Sequence, residues 1–118
     1  MGVDRKALVR AYKESPPPAG IYAVRNLVEG KILVGSSPNV AGRVNRERFS
    51  LENGGHFSRQ LQADWNRLGP DAFTIEVLDT LEEPSDPDTD LAEELEELLG
   101  MWLDRLAIPA EKRYPLRG

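Results

Sequence analysis

Three side chains in the first half of the chain carry chemistry suited to a phosphate: the phenol of Tyr22, the guanidinium of Arg43 and the imidazole of His56. A guanidinium presents a fork of N–H donors that matches phosphate oxygens, and an imidazole titrates near neutrality. A phenol, with a pKa of about 10, acts as a base only with help from its surroundings. On residue type alone each has a second reading. Tyr22 is equally an aromatic strand residue packed in a core, Arg43 a surface arginine, and His56 a structural or exposed turn residue. Later in the chain Glu93, Glu94, Glu96 and Glu97 gather carboxylates, either as ligands for a hard cation or as a solvated helix flank whose first-turn charge suits the macrodipole. With no cysteine and one histidine a zinc site is excluded.

The elements that position these groups are read from local pattern. Two apolar runs, Ile21 to Leu27 and Lys31 to Val34, flank Val28-Glu29-Gly30 and predict a β-hairpin. Strand alternation puts Tyr22, Val24 and Asn26 on one face and Ile21, Ala23 and Arg25 on the other. Gly20 and Gly35 stand at the rims of the hairpin, where a side chain would obstruct close approach. Ser37 is expected to cap a helix starting at Pro38, with Val40, Arg43 and Val44 on adjoining faces and Glu52-Asn53-Gly54-Gly55 ending the run. Phe57, Leu61, Trp65 and Leu68 predict a helix from His56 or Phe57 that Gly69-Pro70 stops. Residues 73–78 alternate as a strand with Phe73, Ile75 and Val77 inward. Asp90 and Glu93 form a capping-box pattern for a last helix with the stripe Leu91, Leu95, Leu98, Trp102, Leu106. Trp65 and Trp102 fall on core stripes.

At the ends, Asp4 caps an expected helix to about Glu14, and Ser15-Pro16-Pro17-Pro18 delivers the chain to Gly20. Residues 1–18 are thus a helix and proline-rich lead-in, 82–90 an acidic surface loop, and 107–118 a proline-limited tail. The whole of 1–118 reads as one α/β (α+β) domain, a small three-stranded, mainly antiparallel sheet covered by helices.

Composition sets outer limits. No stretch approaches the roughly 20 apolar residues of a membrane span, and the start, Met-Gly-Val-Asp-Arg-Lys, lacks a secretory apolar segment. A cytoplasmic location without membrane contact is the expectation. The net charge of −5 argues against nucleic acid as partner, but its distribution does not. Residues 76–97 hold 11 of the 20 acidic residues and no Lys or Arg, whereas residues 1–75 hold 11 basic and 7 acidic residues. The first two thirds are net positive, as a nucleic-acid face or as mixed surface charge.

Gly20-Ile21-Tyr22 followed by Leu33-Val34-Gly35 resembles the paired signature of the GIY-YIG nuclease family. Ser36-Ser37-Pro38-Asn39, Arg43, Gly54-Gly55-His56, Leu61 to Asn66, Gly69 and Phe73 to Asp79 are similar to its small bacterial members in the same order, over Ala19 to Leu106. The resemblance implies a domain that hydrolyses DNA phosphodiesters with one divalent metal, Mg2+ or Mn2+. Tyr22 would help deprotonate the attacking water, Arg43 would face the phosphate, and a glutamate on the last helix would hold the metal. A cation answers developing phosphoryl charge and a bound metal lowers the pKa of water.

Three positions depart from the pattern. Leu33 replaces the second signature tyrosine and has no hydroxyl. Glu47 stands where a histidine often follows the helix arginine. The metal glutamate three residues before the last-helix aromatic becomes Leu99 before Trp102, so Glu96, one turn earlier, is the candidate ligand. Asn26, Lys31, Ser36, Arg46 and His56 are expected to contact substrate. The resemblance therefore implies a DNA endonuclease-like domain of weak or impaired catalysis. The alternative is a non-catalytic nucleic-acid-binding or protein-interaction domain on the same fold.

Overall fold

β1 (Gly20–Asn26) runs up the middle of a three-stranded sheet, with β2 (Lys31–Ser37) on one side and β3 (Phe73–Thr80) on the other, all antiparallel. The computed structural model describes residues 17–81 and 90–115. The expected helix from Asp4 to Glu14 and all but the last residue of the acidic loop 82–90 lie outside them. The hairpin turn is made by sequence-local groups. Asn26 Oδ1 accepts the backbone N–H groups of Val28 and Glu29, and Gly30 supplies the positive φ of 72° that closes the turn.

Three helices complete the domain: α1 (Val40–Glu52), α2 (Arg59–Leu68) and α3 (Leu91–Leu106). Their starts correct two expectations. Ser37 ends β2 and is not the cap of α1. Asn39 takes that role, its Oδ1 accepting the Gly42 N–H at 3.0 Å while Ser37 Oγ accepts the Asn39 N–H. His56 and Phe57 precede α2, because Ser58 caps it through the Leu61 N–H. Asp90 caps α3 as expected, accepting from Ala92 and Glu93.

The sheet buries both faces. Tyr22, Val24 and Leu33 pack with Val40 and Leu51 of α1, Leu61 and Trp65 of α2, and Phe73. On the opposite face Ile21, Ala23, Ile32 and Val34 meet Leu98, Leu99, Trp102, Leu103 and Leu106 of α3. Alternation along β1 and β2 sends neighbouring side chains to these two layers, as a half-period of one residue requires.

Val77 was expected inside but is 43% exposed. Val77 keeps the phase of Phe73 and Ile75 and pairs with Tyr22 on the outer strand of the sheet; the β-bulge follows it, so that Leu78 and Asp79 both fall on the α3 side. Beside the bulge Gly20 lies against the Asp79 carbonyl, too close for any Cβ. The tail also differs from a simple proline-limited end. After a short 3-10 turn at Ala110–Lys112, Tyr114 donates its N–H to the Ile32 carbonyl and buries its ring in the Tyr22 layer. No helix among the described residues is long and apolar enough to cross a membrane.

Candidate functional site

The site is built where β1, β2 and α1 meet. Tyr22 pairs across the strands with Gly35, and a Cβ at Gly35 would lie 2.5 Å from the Tyr22 hydroxyl oxygen. Glycine there is what lets the phenol lie across β2 and reach its far edge. Arg43 and Glu47 stand one turn apart on α1, so both project from one side of it.

The Arg43 guanidinium carbon is 5.3 Å from the centroid of the Tyr22 ring and 5.7 Å from that of Phe57, which cradle it as a cation between two π faces. Its Nε lies 3.4 Å from Glu47 Oε2, an ion pair that is not aligned as a hydrogen bond. Glu47 is only 1% exposed. Its other oxygen, Oε1, lies 3.0 Å from His56 Nε2, and His56 Nδ1 accepts the Ser58 N–H at 2.9 Å. Since Nδ1 is an acceptor, the proton of the neutral ring is on Nε2, which donates to Glu47.

Tyr22, Arg43, Glu47 and His56 therefore form one connected cluster. Burial, helped by the Glu47 carboxylate and opposed by Arg43, pushes the Tyr22 phenol up to about 12. At neutral pH Tyr22 is a hydrogen-bonding phenol with less tendency to serve as a base than free tyrosine. Its burial and the carboxylate at position 47 both hold the proton on the phenol.

Arg43 also lines an open pocket of about 380 Å³ together with Ser37, Pro38, Asn39, Gly42 and Arg46. Two guanidinium groups at the N-terminal end of a helix make this an electropositive recess. Arg46, expected to contact substrate, is placed at it, and His56 is placed behind it as the partner of Glu47.

Other sequence candidates fall elsewhere. Ser36 pairs with Ile21 and so belongs to the α3 side of the sheet. Asn26 is buried four residues along β1 from Tyr22, about 13 Å away. Its side-chain amide donates to the Tyr114 hydroxyl and to Glu29. Lys31 lies at the same far end, 3.5 Å from Asp64.

The implied metal does not fit the residues present. Leu99 packs in the α3 layer against the sheet face opposite Tyr22, and Glu96 is exposed on the same helix. Among the described residues no three His, Cys, Asp or Glu side chains converge as a metal site. In the sequence Glu47 is legible only as a departure from the family pattern, yet it joins the cluster's other members. Its four-residue spacing from Arg43 was the available signal. Phe57 carried no such signal, because its contact with Arg43 depends on how the loop before α2 folds back.

The sheet order, the helices on its two faces, and Tyr22, Gly35 and Arg43 at one end define a GIY-YIG-like catalytic fold. Among solved structures the chain is similar to the catalytic domain of the homing endonuclease I-TevI, with a TM-score of 0.62 and 26% identity over 85% of this chain and 99% of that one. A glutamate-to-alanine mutant of the catalytic domain of intron endonuclease I-TevI matches with a TM-score of 0.63 and 26% identity over 84% of this chain and 93% of that one. No family model and no curated protein matches the sequence.

Proposed function

We propose that this domain binds the phosphate backbone of DNA through the recess at the start of α1, and that its phosphodiester hydrolysis is weak or absent. The observation that carries the reading is the placement of Arg43, stacked on Tyr22, held by Glu47 and lining a recess that Arg46 extends. Likeness to an endonuclease catalytic domain supports DNA as the polymer.

Weak hydrolysis follows from the side chains themselves. The position for a metal carboxylate is Leu99, which packs against the sheet. Tyr22 has its phenol pK raised, and Leu33 brings no second hydroxyl. Arg43 is part-neutralised by Glu47, so it binds a phosphate less tightly than an unpaired guanidinium.

The test is fluorescence anisotropy with duplex, single-stranded and branched DNA over a range of salt, with cleavage followed on the same substrates in Mg2+ or Mn2+. Binding should fall steeply with salt, and Arg43→Gln should weaken it and reduce the log–log salt slope by about 1. Cleavage should be slow or undetectable. A flat salt response, or no binding, removes the DNA reading. Rapid cleavage that Glu96→Gln abolishes with the fold intact would overturn the weak-hydrolysis reading and make Glu96 the ligand.

A further inference from the structure

At the other end of the sheet lies a second recess, of about 370 Å³, between the hairpin turn and the chain that follows α3. Ile32, Leu106 and Ile108 give it an apolar floor, and Arg25 and Lys112 line it with positive charge, whereas Lys31, paired with Asn26 on the other face of the sheet, turns its ammonium to Asp64. No described carboxylate lines it. Its size falls within the roughly 300–1,000 Å³ of ordinary ligand pockets. We propose that it is a docking site for an acidic peptide segment of a protein partner, one carrying an aliphatic or aromatic side chain flanked by carboxylates.

Charge separates this site from a plain apolar groove. Arg25 is already oriented by Glu76. Lys112 Nζ meets the backbone carbonyl of Glu29 at 2.9 Å, and no described carboxylate lies within ion-pair distance of it. A carboxylate from a partner supplies the missing counter-charge and meets oriented donors. At the rim Leu27 and Val28 are 60% and 65% exposed, which continues the apolar strip beyond the recess. A small anion leaves that strip in water, whereas a peptide covers both.

The recess is also preformed. Tyr114 bonds to the Ile32 carbonyl, and its hydroxyl donates to Asp64 at 2.6 Å and accepts from Asn26 at 3.0 Å, so the tail is fastened to β2 before any ligand arrives. Preorganisation lowers the ordering cost of binding. Nucleic acid fits less well, because the floor is apolar. The site is separate from the Arg43 recess, so a partner here leaves that recess open.

The experiment titrates the full chain, 15N-labelled, with fluorescein-labelled heptapeptides that carry a central leucine or phenylalanine flanked by aspartate and glutamate. Lysine-flanked peptides and a duplex DNA oligonucleotide run in parallel. Acid-flanked peptides should bind saturably below about 1 mM and shift the amides of Leu27, Lys31, Ile108 and Lys112. Lys112→Glu should weaken them about tenfold, the scale of one charge-assisted contact. Leu27→Ser should weaken them about fivefold. Both side chains are exposed, so neither change threatens the fold. Absence of peptide binding, equal binding of lysine-flanked peptides, unchanged affinity in both variants, or DNA shifting the same amides would each overturn the proposal.

Discussion

His56 donates through Nε2 to Glu47 Oε1 at 3.0 Å, joining the loop before α2 to the middle of α1. Both side chains are buried, and Glu47 also faces Arg43. The pair fixes the carboxylate that in turn holds the guanidinium over Tyr22.

Removing that carboxylate should therefore destabilise the fold. Glu47→Ala leaves the His56 N–H and the Arg43 guanidinium without their partner, at a cost of about 2–4 kcal/mol. The double variant with His56→Ala should cost less than the two single changes together, since they remove one shared interaction. Urea unfolding of all four proteins measures it, and strict additivity would show that the pair is not coupled.

Gly35→Ala places a methyl 2.5 Å from the Tyr22 hydroxyl oxygen. The phenol or the strand must shift, and overpacking of this kind costs about 1–3 kcal/mol. The melting temperature should fall and the DNA affinity with it, because Arg43 stacks on the displaced ring. A stable variant with unchanged affinity would break the proposed link between Gly35 and Arg43.

Tyr114→Phe removes the hydroxyl that bonds Asp64 and Asn26. The loss should be about 1–3 kcal/mol at neutral pH. Burial alone would raise the Asp64 carboxyl, but hydrogen bonds from Tyr114 and Arg67 outweigh it and hold Asp64 below the ordinary carboxylate value. A depressed folded pKa gives stability that is present above the unfolded value of about 4 and lost as pH falls through the folded one. The gap between wild type and Tyr114→Phe should thus narrow below about pH 4, as read by denaturation midpoints.

Tyr22 gives the opposite sign. Its phenol is raised to about 12 by burial first and by Glu47 second. A raised folded pKa gives stability that is complete below the unfolded value of about 10 and lost as pH rises toward 12. Alkaline unfolding should begin above about pH 10, and Tyr22→Phe should make that limb shallower. Tyr114, whose phenol burial also raises, contributes to the same limb. Ultraviolet difference spectra of tyrosinate ionisation, run beside unfolding curves, test it. Free titration of every tyrosine at about pH 10 in the folded protein would refute it.

Local signals carried the elements and their order. The apolar alternation of Ile21 to Leu27, the turn at Glu29-Gly30 and the cap at Asp90 act over a few residues, so they can be read from the chain alone. Ser37 misled because two capping-competent residues, Ser37 and Asn39, lie two apart, and only the end of β2 decides between them. Val77 misled because alternation gives the face of a strand residue but not whether anything covers it at the end of an outer strand, and the bulge that turns Asp79 toward Trp102 leaves no mark in an alternating pattern.

The signature glycines and Arg43 mark one end of the hairpin in the sequence itself. Tertiary structure alone decided that Glu47 is held between Arg43 and His56, that Leu99 turns to the sheet face opposite Tyr22, and that Tyr114 is fastened under the hairpin by Asp64, 50 residues away in sequence. Those relationships are set by which layers pack together and by where buried polar groups find partners. Sequence spacing records neither, because a long-range partner is chosen by proximity in the folded chain and not by position along it.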